Sequence, residues 1–181
     1  MPTSEWSIET PTSLEFDDVT GLRVRLIAGS VAVLATTGKP TLEVSSIEGD
    51  PLNVTLADGW LERLDVNGVS GDVTADLDLD PLGGMQVTTV SGEVVLRLPA
   101  EADAQVNLHS VSGDVRSEFA ELRRSSAPAS RSVSGSLGAG SGQVSVTTMS
   151  GRVMLLRRAE PHDTRAAQQP DNENEMEGEA S

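Results

Sequence analysis

Val69-Ser70-Gly71-Asp72-Val73 returns as Val90-Ser91-Gly92-Glu93-Val94 and again as Val111-Ser112-Gly113-Asp114-Val115. Looser copies extend the series, with an aliphatic residue two places before a glycine at Ile27/Gly29, Ile47/Gly49, Val133/Gly135 and Met149/Gly151. Successive starts are 20, 22, 21, 21, 22 and 16 residues apart. An interval of that size marks a stacked repeat, in which each unit buries its apolar face only against its neighbours.

Working outward from the motif, alternation continues through Ala75, Leu77 and Leu79 in one copy, through Leu96 and Leu98 in the next, and from Val153 to Leu155 in the last. Period two with branched residues is a strand with one buried face. A shorter strand leads into each motif, at Leu22/Val24, Leu42/Val44, Leu64/Val66, Met85/Val87, Val106/Leu108 and Val144/Val146. Between lead-in and motif the alternation slips by one residue, which would turn the apolar face outward unless the chain bends there. Each coil therefore reads as short strand, corner, long strand, turn.

Glycine at the corner avoids a Cβ that would clash with a tightly curved wall or require an unfavourable φ. The structural repeat comprises Gly29, Gly49, Gly71, Gly92, Gly113, Gly135 and Gly151, with Ser70, Ser91, Ser112, Ser134 and Ser150 beside them. Without a base next to each, these serines are not activated nucleophiles, and corner hydrogen bonds to backbone are their expected role. Stacking predicts two buried columns. One holds Val69, Val90, Val111, Val133 and Met149; the other holds Val73, Val94, Val115, Leu137 and Val153.

The fold class expected is all-β: a single-stranded parallel β-helix, or β-solenoid, of about seven coils with a period of about 21 residues. A β-sandwich also has short strands and frequent turns, but does not call for one pentapeptide at fixed spacing. Residues 1–21, with Trp6, Ile8, Leu14 and Phe16, are expected to cap the N-terminal end, and residues 22–157 to form the solenoid. Residues 120–132 lack the lead-in pair and read as an excursion carrying Arg123, Arg124 and Arg131. Residues 158–181 lack aliphatic pairs and read as a disordered acidic tail.

The repeated Val-Ser-Gly-acid-Val, the alternating strands and the lead-in Val-x-Val-x-Thr resemble the bacterial putative-adhesin family of β-strand-repeat proteins, a domain of unknown function. The resemblance covers about residues 20–157 and implies a single-chain parallel β-helix. Members are often associated with the envelope, and some resemble parts of envelope stress systems.

Formal net charge is −15, with Lys39 the one lysine. Residues 159–181 hold seven carboxylates against Arg165, or −6, which leaves −9 for the rest. The phosphate attraction behind most nucleic-acid and anionic-membrane binding is missing, so nucleic acid is not an expected partner. There is no cysteine, hence neither a disulfide framework nor a thiolate metal site. No basic start with an apolar run, and no apolar stretch near 20 residues, suggests export or insertion. A cytoplasmic location is expected, with envelope association through a partner.

Chemistry is sparse. His109 and His162 are the two histidines, one of them in the expected tail. Asp50, Asp72, Glu93 and Asp114 follow the glycines as an expected acidic ladder, and Asp76, Asp78 and Asp80 form an acidic strip that oxygen-seeking Ca²⁺ could use. Calcium-repeat and EF-hand patterns are absent, so a solvated face is the expected reading. Gly135 to Gly142 lacks the Lys-Ser/Thr ending of a phosphate loop and reads as a tight turn. The function expected is that of a non-enzymatic interaction or scaffold protein without cofactor or metal, binding a protein partner or itself. A surface adhesin and a carbohydrate-active β-helix enzyme are the alternatives.

Overall fold

The fold is given by a computed structural model that describes residues 3–15, 19–35, 41–48, 52–58, 62–78, 82–128 and 130–158. Among these residues all regular structure is β, joined in one 14-stranded sheet.

Two long strands show how the sheet bends. Strands β3 (Val19–Ala35) and β6 (Arg63–Leu77) lie parallel, in register from Gly21 opposite Arg63 to Ala35 opposite Leu77. In β6 the inward residues are Leu64 and Val66 before the corner, and Val73, Ala75 and Leu77 after it. The buried parity changes from even to odd because the chain turns between Gly68 and Gly71. Each long strand thus contributes one leg to each of two walls. The first leg of β6 pairs with β7 (Gly84–Ser91), and the second with β8 (Glu93–Leu98). Further on, β13 (Gly142–Thr148) and β9 (Ala104–Ser110) continue the first wall in parallel. The second wall continues through β14 (Arg152–Arg157) and β10 (Val115–Ser117).

Between the walls runs one apolar cluster, including Val24, Val33, Leu64, Val87, Leu96, Leu108, Val144 and Leu155. Fully burying such a side chain contributes about 1.5–3 kcal/mol, an upper figure if the unfolded chain is compact. Val73, Val94, Val115, Leu137 and Val153 are all buried, but only Val73, Val94, Val153 and Val115 share a ladder; Leu137 stands opposite Ala104 on the first wall, outside the predicted column.

Antiparallel strands close both ends. Strand β4 (Thr41–Glu48) runs against the second leg of β3, and β5 (Leu52–Asp58) against its first leg. Beyond them lie β2 (Thr12–Glu15) and β1 (Thr3–Ile8). From the expected cap, Ile8 is buried and Leu14 packs on the core, while β3 already begins at Val19. At the opposite end, β12 (Ser130–Leu137) runs antiparallel to β9, and β11 (Arg123–Ala127) antiparallel to β12.

Three features differ from a sequential single-stranded solenoid. Leu42 and Val44 lie on an antiparallel strand, not on the lead-in of another parallel coil. Val133, Ser134 and Gly135 also belong to an antiparallel strand, in the hairpin 123–137 that occupies the predicted excursion and the expected short coil. The third difference is order. Coil 142–157 does not follow coil 104–117 in space but sits between it and coil 84–98. The cause is local: β12 leaves its pairing at Leu137, opposite Ala104, and β13 begins at Gly142, opposite the same Ala104. The turn between them carries the chain past the start of β9. Of the expected tail, residues 158–181, Arg158 is described and binds Asp76 and Asp78, so the folded chain passes the expected boundary by one residue; residues 159–181 lie outside the described residues, as do Gly49, Asp50 and Asp80.

Candidate functional site

Where the two walls meet, the corners of five coils stack in the order 27–29, 69–71, 90–92, 149–151 and 111–113. Their serines climb this stack by regular hydrogen bonds. Ser70 Oγ donates to the Ile27 carbonyl (3.3 Å), Ser91 to that of Val69 (3.4 Å), Ser150 to that of Val90 (3.2 Å) and Ser112 to that of Met149 (3.0 Å). These four hydroxyls are thus engaged by backbone. Ser134 stands apart on β12, exposed, opposite Asn107 and Arg123.

The glycines form the adjoining column. A Cβ on Gly92 would overlap the Gly71 carbonyl oxygen and lie 2.7 Å from its carbon. The same holds for Gly71 on Gly29, for Gly151 on Gly92 and for Gly113 on Gly151. Each carbonyl occupies the space a side chain on the next coil would need. Gly71 and Gly92 also have φ of +147° and +118°, a region that side-chain-bearing residues rarely adopt. Gly135 is outside this column and neighbours Leu122.

A second set of hydroxyls was not anticipated from sequence. Thr89, Ser110 and Thr148 are buried just before the corner. Ser110 Oγ donates to the Gly151 carbonyl (3.1 Å) and accepts from the Gly113 N–H (2.8 Å), while Thr148 Oγ1 accepts from the Gly151 N–H (3.0 Å). They satisfy polar groups that the bend takes out of the ladders. Their signal was a polar residue at the last inward position of three lead-in strands.

The predicted column of Val69, Val90, Val111, Val133 and Met149 is not buried as a unit. Only Val133 is covered; Val69, Val90, Val111 and Met149 are 52%, 43%, 43% and 57% exposed, and Ile27 44%. The corner rotates these side chains out of the core before Val73 and its equivalents restore the inward alternation. The result is an apolar ridge, Ile27-Val69-Val90-Met149-Val111, one residue per coil. On its lead-in side lie Arg25, Asn67, Thr88, Thr147 and His109 in register, and on the other side Ala28 and the four serines. Apart from Arg25, the ridge and its flanks carry no formal charge with His109 neutral.

Beyond the glycines the expected acidic ladder is broken. Asp72 and Glu93 are neighbours, and Asp72 Oδ1 accepts the Glu93 N–H at 2.8 Å. Arg152, on the inserted coil, then stands between Glu93 and Asp114, with Nη1 3.8 Å from Glu93 Oε1. Asp114 is held below the usual carboxylate range, chiefly by the hydrogen bond from Arg116 Nε at 2.7 Å. Asp76 and Asp78, the described members of the acidic strip, both bind Arg158, whose Nε lies 2.7 Å from Asp76 Oδ1. Burial opposes the charge on Arg158, but these two carboxylates outweigh it and raise the pKa. No cluster of three or more metal-ligating side chains occurs among the described residues.

The glycine-rich turn does hold an anion, but one supplied by the chain. Asp103 Oδ1 accepts the N–H groups of Gly140 (2.5 Å) and Ser141 (3.0 Å), and Oδ2 accepts the Ser141 hydroxyl (3.1 Å). The Ser141 backbone bond is the largest cause of a lowered Asp103 pKa.

The family model described as Toastrack DUF4097 matches residues 11–156. Among solved structures, the chain is similar to a putative cell adhesion protein from Clostridium sporogenes ATCC 15579. That match has 11% identity and a TM-score of 0.47, and covers 82% of this chain and 100% of the other. The curated proteins contain no match.

Proposed function

This chain belongs to the Toastrack DUF4097 family, and we propose that it is a non-enzymatic interaction protein whose contact surface is the corner ridge. The observation that carries the reading is the in-register exposure of Ile27, Val69, Val90, Met149 and Val111. A continuous apolar strip on a soluble surface marks a site of association. Its surroundings support contact between copies. A chain of net charge −15 repels itself over most of its surface, whereas the ridge and its hydroxyl flanks offer a nearly neutral line of approach. Five half-exposed aliphatic residues form a small patch beside the roughly 800 Å² per partner of a standard interface, which favours weak, concentration-dependent association. The engagement of Asp76, Asp78, Asp103 and the corner serines by the chain's own groups supports the non-enzymatic part of the reading.

The test is sedimentation velocity over a wide concentration range, comparing the native chain with Val69→Thr/Val90→Thr/Met149→Thr. Threonine keeps the strand preference while adding a hydroxyl to the ridge. The native chain should sediment faster as concentration rises, and the variant should stay monomeric. Identical behaviour of both chains defeats the proposal.

A further inference from the structure

Among the described residues, strand β11 (Arg123–Ala127) is paired on one side only, with β12, and ends the first wall. An edge of this kind presents unpaired N–H and C=O groups that can template another strand. Arg123 and Arg124 on it are exposed and make no ion pair among the described residues. Ser126 pairs with Arg131, so Arg124 and Arg131 stand on the same side of the hairpin. Arg131 uses Nη1 for the Gly113 carbonyl, which leaves its remaining N–H groups for another acceptor.

The sequence following Arg158 contains a segment that complements this edge. Asp171, Glu173, Glu175, Glu177 and Glu179 alternate with Asn172, Asn174, Met176 and Gly178. In extended conformation, strict period two places all five carboxylates on one side. Reach is sufficient. Arg158 is fixed beside Leu98 and Asp76, and Arg123 lies three strand positions further along the stack, on the opposite wall. With strands ~4.8 Å apart and walls ~10 Å apart, the gap is about 25 Å. The 12 residues 159–170 can span up to about 40 Å.

We infer that the edge of β11 is the docking site of the chain's own segment Asp171–Glu179, added as a further strand with its acidic side over Arg124 and Arg131. This surface adjoins the end corner through Arg131 but uses none of the ridge side chains, so the inference does not rest on the proposed function. The structural alternative is that the arginines only keep the edge from pairing.

Hydrogen exchange on the full chain separates the two, read on the peptide covering Arg123–Ala127. The comparison chain is Glu173→Gln/Glu175→Gln/Glu177→Gln/Glu179→Gln, whose changes leave the sequence of residues 3–158 unaltered. A docked strand should slow exchange in the native chain by about tenfold relative to this variant, and the difference should vanish in 1 M salt. A chain carrying Arg124→Glu and Arg131→Glu together with Glu173→Arg and Glu175→Arg should recover the protection. Equal exchange in the native and Gln chains overturns the inference. So does protection that appears only at concentrations where sedimentation shows a dimer, because the strand would then come from a second copy.

Discussion

Gly92 shows how much one missing Cβ decides. Two costs converge on any side chain there, a backbone at φ +118° and the Gly71 carbonyl in the Cβ position. Gly84 offers the contrast, since a Cβ there meets nothing within 4 Å. Gly92→Ala should therefore cost about 3 kcal/mol or more, whereas Gly84→Ala should change stability by about 1 kcal/mol or less. Denaturant melts of the two variants measure the difference, and equal midpoints would refute the stacked carbonyl column. The need for glycine was legible because the parity slip demanded a bend. The fate of Val69, Val90 and Met149 was not. A bend can be located from alternation, but alternation does not say whether the residue at its apex belongs to the incoming or the outgoing face. Here Val69 and Ser70 belong to neither, and only Val73 resumes the inward pattern. The same ambiguity hid Thr89, Ser110 and Thr148, which look like the end of a polar edge until the corner closes over them.

Among the elements, the crossover from β12 to β13 is the one that sets the topology. It reverses the chain after Leu137 through Gly138 and Gly140, at φ +56° and +76°. Asp103, at the start of β9, holds it by accepting two N–H groups and a hydroxyl. These bonds favour the ionised carboxylate, which is why its pKa falls below 3.8 in the folded chain. The sign follows directly: a group depressed in the folded state stabilises it above the unfolded pKa and loses that contribution as pH falls through the folded value. Asp103→Asn should lower stability at neutral pH and weaken the dependence on pH below about 4. Thermal melts from pH 7 to pH 2.5 report both effects, and parallel curves for the two chains would dismiss the Asp103 clasp. Of this element the sequence showed a tight glycine turn and a motif interval shortened from 21 to 16. It did not show that Val133-Ser134-Gly135 had ceased to be a corner. That depends on β12 pairing antiparallel with β9, a contact between distant residues that no local spacing encodes.

For the molecule as a whole, the repeat conceals its own order. Val73, Val94, Val153 and Val115 occupy equivalent positions in one ladder, so any coil could stack on any other with the same columns intact. That interchangeability makes the all-β stacked architecture readable and the succession of coils unreadable. The observed succession has a mechanical consequence. In a sequential solenoid each coil touches only its neighbours in the chain, so removing the last coil subtracts one stacking interface and leaves the remainder folded. Here the last coil, 142–157, is the shared neighbour of coils 84–98 and 104–117. Arg158 further ties it across β8 to Asp76 on β6 and to Asp78 just beyond that strand. A chain ending at Leu137 would leave Val87, Leu96, Leu108 and Val115 facing a missing layer in the middle of the core. Each exposed side chain would forfeit about 1.5–3 kcal/mol, so the four together lose about 6–12 kcal/mol, comparable with the whole 5–15 kcal/mol stability typical of a domain. The truncated chain should therefore show no cooperative thermal transition by circular dichroism. The full chain should melt in one step instead of fraying coil by coil from an end. A cooperative melt of residues 1–137, merely shifted to lower temperature, would mean that coils 84–98 and 104–117 can close directly on one another and that the inserted coil is an addition to the fold, not its centre.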